Sequence, residues 1–359
     1  MLPADKGDAL WIEWGDGPVH RMLIDMGTGN AGRALRKRLE ALPAADRQFE
    51  LLVVTHVDED HIGGVLSAVV DAAPLPGLGF TDVWFNGWKH LLQAGVDEYG
   101  APHGERLTQW LGSQPWNQAF GGAAVRLDAP LLRAALADGL TLTVLGPPAQ
   151  RLADFRGRWA EDVQLAIAKG RLDAAEVAAG IQGFEVEEYG GPLVLEDRMD
   201  LRALAQRATP LDDSQANGSS ICLLLEYRGI RILLTGDAFG GDIVAGLKAF
   251  GPTPARFSAV KLPHHAAHGN VTAELVAALD CQDWLISTNG AQHGHPHPSA
   301  IARILDAATA PTRLHFNVRS QVNAIWDRAD WGERFAYTPR YGDADGLQLS
   351  WDDQGKSNH

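Results

Sequence analysis

The sequence predicts a layered α/β fold, because short apolar runs bounded by turn residues alternate with segments of helical periodicity. Its 359 residues, of which 45% are hydrophobic and 21% charged, suffice for one large α/β domain or two smaller domains with a buried core. The sequence contains no internal repeat and no low-complexity tract. We therefore expect one domain over residues 1–350, followed by a disordered tail over residues 351–359.

The N-terminal part predicts a hairpin followed by buried strands. The runs DALWIEW and VHRMLID predict two paired strands around the turn at Gly15–Pro18. FELLVVT, over Phe49–Thr55, is a continuous apolar run typical of a buried strand. The two glycines after His61 are expected to begin a helix that extends to Val70, and TDVWFN predicts the next strand.

The pattern changes between about Gly87 and Ala216, where we expect a largely helical insertion. TLTVLGPP predicts a strand and turn, whereas LADFRGRWAEDVQLAIAKG and RMDLRALAQRA are helical in pattern. The tryptophans in or near this segment are expected to pack in the core or in a lid; they are Trp88, Trp110, Trp116 and Trp159.

A strand–helix alternation resumes in the last third of the chain. SSICLLLEY, RGIRILLT, ARFSAVKLP and QDWLIST predict strands. Helices are expected from about Gly241, in VTAELVAALD and in PHPSAIARILDAAT. RLHFNV, VNAIWD and LQLSW complete the predicted strands.

Charge and cysteine content exclude several classes of protein. The net charge of −14 disfavours broad electrostatic binding to nucleic acid or anionic membranes, although a bound metal can reverse the field at one site. Two cysteines, Cys222 and Cys281, exclude a disulfide scaffold or a four-thiolate zinc site, and their apolar surroundings predict buried thiols. No signal peptide and no apolar run of about 18 residues is found, so we expect a cytoplasmic protein that does not enter membranes.

Histidines concentrate in two short windows, His56–His61 and His264–His297, which hold eight of the 13 in the chain. Each window directly follows a strand pattern, where loops at strand ends converge on a crevice. The first window places His56, Asp58, Asp60 and His61 within six residues, and imidazole with carboxylate suits zinc, manganese or iron. The alternative is a solvated acidic turn that caps the next helix. The full His-x-Asp-x-Asp-His pattern favours metal binding.

Five motifs occur in an order that resembles the metallo-β-lactamase-fold hydrolases. Asp58 stands where that family usually has a second histidine, as in the branch that contains the extracellular domain of ComEC DNA-uptake proteins and certain phosphorylcholine esterases. The motifs are Leu23–Gly27, His56–His61, Leu233–Asp237, Lys261–His265 and the Asn289-Gly290 … Gly294-His295-Pro296 segment. They span most of the chain but do not explain the 87–216 insertion.

The resemblance implies a four-layered αββα sandwich with two divalent ions, zinc or manganese, at one sheet edge. It implies that Asp25 orients the metal-binding loop and that Asp237 bridges both ions; the alternatives are a turn-forming aspartate and a helix cap. Because adjacent residues at a strand end point apart, we expect His264 to bind metal and His265 to remain free for substrate. The expected ligands are His56, Asp58, Asp60, His61, Asp237 and His264.

One departure concerns the third motif of the family, a histidine about twenty residues before the bridging aspartate. This chain offers Asn217 there, in a segment similar to the Asn/Ser segment of the ComEC branch. An amide oxygen is a weak, neutral donor, so the first site would bind zinc less tightly or prefer manganese. A plain turn residue before a strand is an equally good interpretation of Asn217.

The motifs favour a dinuclear phosphodiesterase or nuclease in which hydroxide on the ions attacks phosphorus. Asp60, His265 and His295 are the expected catalytic residues: Asp60 steers the nucleophile, and a protonated histidine assists the oxyanion or the leaving oxygen. Asn289 and His268 are expected to contact substrate. The substrate would be DNA, RNA, a nucleotide or a choline-phosphate ester.

Two alternatives remain open. A hydrolase of esters, lactones or amides with the same fold predicts an apolar pocket built from Trp84, Trp88, Trp110 and Trp116. A metal-stabilised module that docks a partner protein through the 87–216 insertion predicts weak or regulated catalysis. Activity on phosphodiester and ester substrates, with and without manganese, separates the three.

Overall fold

Two β-sheets organise this mixed α/β chain, whose computed structural model describes residues 1–91, 102–168, 200–352 and 357–358. The smaller sheet has the strand order β1-β2-β3-β4. β1 and β2 form the predicted antiparallel hairpin, with Leu10 opposite Ile24, and β2, β3 and β4 run parallel. The strands are β1 (Leu10–Trp14), β2 (His20–Ile24), β3 (Gln48–Val53) and β4 (Gly79–Trp84).

Helices in the first half of the chain pack beside this sheet. α2 begins at Glu59, directly after Asp58, rather than after the two glycines. Gly64 instead allows close packing, because a Cβ there would lie 2.0 Å from the Met26 carbonyl oxygen. The helices are α1 (Gly29–Ala41), α2 (Glu59–Val65, extended by one wider turn over Leu66–Val70), α3 (Trp88–Leu91), α4 (Pro102–Leu111) and α5 (Ala149–Ala168).

The larger sheet has eight strands in the order β14-β13-β12-β10-β8-β7-β6-β5. β8, β10, β12, β13 and β14 run parallel, and β5, β6, β7 and β8 are joined in antiparallel pairs. The strands are β5 (Arg133–Ala135), β6 (Thr141–Gly146), β7 (Cys222–Tyr227), β8 (Ile230–Leu234), β10 (Ala259–Lys261), β12 (Asp283–Ile286), β13 (Thr312–Phe316) and β14 (Tyr337–Tyr341). The short strands β9 (Ala255–Arg256) and β11 (Leu279–Asp280) pair with each other.

In its described residues, the predicted insertion over 87–216 combines helices with two strands, of which β6 matches the strand expected in TLTVLGPP. Its strands β5 and β6 extend the larger sheet, with Leu142 of β6 opposite Leu225 of β7. Residues 133–146 therefore belong to the sheet and not to a separate helical unit. Residues 92–101 and 169–199 of the predicted insertion lie outside the described residues.

Helices of the second half follow the predicted order, with differences near the C-terminus. They are α6 (Leu201–Ala205), α7 (Gln215–Gly218), α8 (Gly240–Phe250), α9 (Ala273–Ala277), α10 (Pro298–Ala307) and α11 (Ala329–Phe335). The strand predicted in VNAIWD is wrong: Asn323–Trp326 is a 3-10 turn, stabilised because Asn323 Oδ1 accepts a hydrogen bond from the Ser320 amide at 2.9 Å. β14 was not predicted.

The C-terminal tail also differs from the prediction. Strands β15 (Ser350–Trp351) and β16 (Ser357–Asn358) pair antiparallel, whereas we expected disorder over 351–359. The other residues of that tail, apart from Asp352, lie outside the described part of the chain.

Three apolar clusters fill the core. One joins both sheets and includes Ile24, Val53, Leu223 and Leu234. A second packs the smaller sheet against helices α1, α2, α4 and α5, and the third packs the larger sheet against α8, α9 and α10. Neighbouring residues on one strand divide between clusters, since Leu223 faces the inter-sheet cluster and Leu224 faces the helices.

The tryptophans behave as core residues where their side chains are described. Trp84 lies in the inter-sheet cluster, whereas Trp116 and Trp159 lie in the cluster beneath the helices. Trp110 is partly buried against that second cluster. Because Trp84 and Trp116 are buried in different clusters, they do not line a common apolar pocket. The side chain of Trp88 lies outside the described part of the structure.

The sequence predicted two buried thiols and no membrane-spanning helix. Cys222 is a buried free thiol, as predicted, and Cys281 is partly buried. Burial raises the pKa of the Cys222 thiol to about 12, so it is protonated at neutral pH. Among the described residues, no helix combines the length and the apolar character needed to cross a membrane.

Candidate metal centre

The predicted ligands meet where strands of both sheets end. Asp25 directly follows β2, and His56 follows β3 in the smaller sheet. In the larger sheet, Asp237 follows β8 and His264 follows β10. Because β2 and β3 are parallel, and β8 and β10 are parallel, each pair of loops emerges at one sheet edge.

One carboxylate oxygen of Asp237 lies at the centre of four histidines. Its Oδ2 is 3.3 Å from His61 Nε2, 3.4 Å from His265 Nε2, and 3.9 Å from both His56 Nε2 and His264 Nε2. His61 Nε2 and His265 Nε2 are 3.3 Å apart. The two histidine windows, far apart in sequence, therefore present their Nε2 atoms to one buried point.

Asp25 and Thr55 hold the first two histidines in a defined orientation. Asp25 Oδ2 accepts from His61 Nδ1 at 2.7 Å and from the Thr55 hydroxyl at 2.6 Å. Because that hydroxyl donates to Asp25, it accepts from His56 Nδ1 at 3.0 Å. Both rings thus carry their proton on Nδ1 and direct the Nε2 lone pair to the centre, as metal-binding histidines require.

The conformation of the turn after Pro263 determines which nitrogen atoms of His264 and His265 face the centre. Both have positive φ angles, 48° and 53°, so the chain curls and does not continue as a strand that would point them apart. His265 Nδ1 donates to the Ser287 carbonyl at 2.8 Å, which leaves its Nε2 facing the centre. Asp8, His61, Asp237 and His265, but not His264, form the group whose ligand atoms all lie within 4.8 Å of one another. The geometry therefore makes His265 a candidate ligand, although we expected only His264 in that role.

Asp8 is a member of this group that sequence reasoning missed. Its Oδ1 lies 3.2 Å from His265 Nδ1, and its Oδ2 pairs with the buried Lys261 Nζ at 2.6 Å. The N-terminal loop reaches the site because Gly7 packs directly against Asp60. A Cβ on residue 7 would lie 1.7 Å from the Asp60 backbone oxygen. A glycine–aspartate pair before a strand is also a common turn, so the sequence offers no signal that separates these roles.

The acidic members of the first window lie on either side of the histidines. Asp58 Oδ2 is 3.5 Å from His56 Nε2, and the side chain of Asp58 makes no capping hydrogen bond to α2. Asp60 Oδ2 is 3.6 Å from His265 Nε2. Asp58 and Asp60 therefore each face a different histidine, and the helix-cap interpretation does not account for Asp58.

Unpaired polar atoms test whether the residues fit a metal. His56 Nε2, Asn217 Oδ1 and Asp237 Oδ1 are buried and have no hydrogen-bond partner among the described residues. Buried polar atoms are otherwise almost always paired, because leaving one unpaired costs about 1–3 kcal/mol. Each is an imidazole nitrogen or an oxygen donor, so the set fits divalent ions that accept mixed nitrogen and oxygen ligands.

Electrostatics of the centre favour cations. Burial opposes the charge on Asp237, but the facing His265 and His61 outweigh it and hold the pKa of that carboxyl well below its usual range. For His61, burial is likewise outweighed by Asp237 and Asp25, which raise its pKa well above the ordinary value. Without an ion, His61 therefore carries a proton on Nε2 as well as on Nδ1, and an ion bound at the centre would displace the Nε2 proton.

The remaining predicted residues lie around this centre. The His295 ring is 5.1 Å from the His264 ring, and burial together with the neighbouring imidazoles lowers its pKa well below the ordinary value. A lowered pKa favours the neutral ring, which can donate an N–H hydrogen bond; the expected role of His295 in catalysis stays a prediction. Asn289 Oδ1 accepts from the Ala291 amide at 3.0 Å, and the His268 ring stacks on His297 at 4.0 Å. Substrate contact by Asn289 and His268 stays a prediction.

Comparison with known proteins does not assign the chain. No protein-family model matches it, and no curated protein sequence matches it significantly. The family resemblance of the motifs remains a hypothesis that rests on the residues and their geometry.

Proposed function

We propose that the protein is a metal-dependent hydrolase that binds two divalent ions, zinc or manganese, and cleaves phosphodiesters. The observation that carries the proposal is the set of four imidazole Nε2 atoms within 3.9 Å of one Asp237 oxygen. Histidines with carboxylates and without thiolates are typical ligands of such hydrolytic centres.

The chain offers donors for two adjacent ions, with Asp237 shared between them. His56, Asp58, Asn217 and His264 would hold the first ion, and Asp60, His61 and His265 the second. Ions bound there supply Lewis acidity and lower the pKa of water towards neutrality.

The remaining chemistry belongs to the side chains. Asp25 and Thr55 orient His61 and His56 through hydrogen bonds to Nδ1. Burial opposes the charge on Asp60, but His265 and His61 outweigh it and lower its pKa, so Asp60 binds cations as a carboxylate and is a poor general base. The neutral His295 ring provides a hydrogen-bond donor for an oxyanion.

We infer that the layers form the four-layered αββα sandwich of the metallo-β-lactamase fold. Support comes from the apolar cluster between the two sheets and from the helices packed against the outer face of each. The same arrangement brings the loops after β3 and β8 together. We also propose that the protein is located in the cytoplasm.

Two observations favour phosphodiesters over carboxylic esters. The Asn289-Gly290 … Gly294-His295-Pro296 segment resembles the ComEC branch, and His295 lies beside the centre. An ester hydrolase was expected to have an aromatic pocket that includes Trp84 and Trp116, but these two side chains are buried in different parts of the core. The substrate class comprises nucleic acids, nucleotides and choline-phosphate esters.

The test is metal content of protein purified without chelators, combined with hydrolysis assays. We expect close to two ions per chain and manganese- or zinc-dependent cleavage of bis-p-nitrophenyl phosphate, with p-nitrophenyl acetate cleaved poorly. Asp60→Ala and Asp237→Ala should each lower activity by more than about 100-fold without unfolding the protein. Asp213→Ala, an exposed carboxylate, is the matched control.

Three outcomes contradict the proposal. One ion or none, with no hydrolysis under any metal, favours a partner-docking module that uses residues 87–216. Faster cleavage of the ester than of the phosphodiester overturns the substrate class. Full activity in either aspartate variant removes that residue from the site.

A further inference from the structure

Asp212, which the sequence analysis did not single out, lies beside the first ion site. Its Oδ2 accepts hydrogen bonds from Asn217 Nδ2 at 2.8 Å, Asn270 Nδ2 at 2.8 Å and His264 Nδ1 at 3.0 Å. Its Oδ1 accepts from the Ser214 backbone amide at 2.9 Å. Because Oδ2 accepts three side-chain donors, Asp212 can fix the orientation of each of them.

The contact with Asp212 decides which atom Asn217 presents to the centre. An ionised carboxylate only accepts hydrogen bonds, so the amide atom 2.8 Å from it must be the Nδ2 donor. The amide oxygen then points the other way, and Oδ1 is the buried atom without a hydrogen-bond partner among the described residues. Without this anchor, a rotation of the amide would present Nδ2, which cannot bind a cation.

The same carboxylate fixes the tautomer of His264. Asn270 Nδ2 donates to Asp212 and, at 3.1 Å, to the Asp237 carbonyl, so Asn270 Oδ1 is the acceptor 3.1 Å from His264 Nδ1. Two acceptors, at 3.0 and 3.1 Å, therefore face Nδ1 more closely than the one donor, Asn217 Nδ2 at 3.3 Å, so we place the proton on Nδ1. The Nε2 lone pair is left facing Asp237 Oδ2 at 3.9 Å.

Contacts remote from the ions hold Asp212 in this place. Arg303 donates to the Thr209 hydroxyl at 2.8 Å and to the carbonyls of His268 at 2.6 Å and Val271 at 2.7 Å. Its guanidinium thus ties the segment before Asp212 to the loop that carries Asn270. The two segments touch at Gly269, where a Cβ would lie 2.7 Å from the Asp212 amide nitrogen.

We propose that Asp212 is a positioning residue that turns Asn217 Oδ1 and His264 Nε2 towards the first ion, and that the amide oxygen placed in this way shifts that site from zinc towards manganese. In this arrangement, an amide oxygen takes the place of the third histidine expected from the motifs, and oxygen donors favour the harder ion. The inference rests on the proposed function, because it requires that the centre bind cations.

The test is Asp212→Asn, with the neighbouring exposed Asp213→Asn as a control that makes the same charge change. One amide oxygen cannot accept from all the groups that surround Asp212, so Asn217 and His264 lose their fixed orientation. We expect bound metal, measured by elemental analysis after dialysis, to fall from near two ions per chain to near one. The manganese Kd of the weaker site should rise by about 10–100-fold, and its preference should shift from manganese towards zinc, because the oxygen donor is lost. Asp213→Asn should bind like the wild type.

A second variant keeps the test decisive if Asp212→Asn folds poorly. Asn217→Ala removes the oxygen and leaves the Asp212–His264 and Asp212–Asn270 contacts in place, and it should also release one ion. The double variant should lose less affinity than the sum of the two single losses, because part of the effect of Asp212 runs through that amide and the rest through His264. Unchanged manganese and zinc binding in Asn217→Ala, or fully additive losses in the double variant, would overturn the inference. A wild type that binds no ion would instead overturn the proposed function.

Discussion

Replacing Lys261 by methionine should destabilise the protein strongly, since its ammonium group is one half of a buried ion pair. The side chains of Lys261 and Asp8 are only 1% and 3% exposed. Lys261 Nζ contacts Asp8 Oδ2 at 2.6 Å and the Leu262 carbonyl at 2.9 Å. Lys261→Met leaves the Asp8 carboxylate buried without its cation, which costs about 3–5 kcal/mol of unfolding free energy.

A double-mutant cycle separates the pair from the loss of a side chain. Asp8→Leu alone should cost about as much as Lys261→Met, whereas the double variant replaces both charges by apolar groups and should lie within about 1 kcal/mol of the wild type. The exposed pair Lys248–Glu274, with side chains 62% and 66% exposed, is the control, and Lys248→Met should cost less than about 1 kcal/mol.

The measurement is urea unfolding followed by tryptophan fluorescence in the presence of a chelator, so that ion binding does not contribute to stability. Comparable m values across the variants are needed for the free energies to be compared. A cost below about 1 kcal/mol for Lys261→Met, or additive costs in the double variant, would refute the argument that this pair is buried and unscreened.

Two further predictions concern stability away from the site. Asp283 is buried, and burial alone would raise its pKa. Hydrogen bonds from Arg313 and His315 outweigh burial and lower the pKa of Asp283 to about 2 from an ordinary 3.8. Because its pKa is lower in the folded state, the ionised carboxylate contributes about 2 kcal/mol to the free energy of unfolding above pH 4, and this is lost as pH falls towards 2. The difference in unfolding free energy between the wild type and Asp283→Asn, measured with urea, should therefore shrink over that range. A constant difference would contradict this. Gly246→Ala should lower the Tm, because its Cβ would lie 2.1 Å from the Leu145 carbonyl oxygen. Gly241→Ala on the same helix meets no atom within 4 Å and should raise the Tm slightly. Equal Tm values in the two variants would contradict the close packing at Gly246.

Local patterns in the sequence were enough to place most elements and the ligand-bearing loops. Alternating and continuous apolar runs predicted the hairpin and strands β3, β4, β7, β8 and β12, because burial on one or both faces of a sheet imposes those periods on nearby residues. The clustering of histidines with carboxylates indicated the window His56–His61, and the family resemblance of Leu233–Asp237 indicated Asp237. Ligands that are close in sequence at strand ends leave a local signature.

Tertiary contacts decided the rest, because the partners are distant in sequence. Strand β6 joins the larger sheet by pairing with β7, and β5 follows by pairing with β6; no local pattern within residues 87–216 specifies the register with β7. The positive φ angles at His264 and His265 bring both rings to one side, although neither residue type requires such angles. Asp8 and Asp212 gain their roles from the side chains that the fold places beside them, His265 for one and Asn217 for the other. The sequence alone therefore determined that the chain is an α/β protein with histidine- and carboxylate-rich loops, and the fold decided which of those atoms face one another.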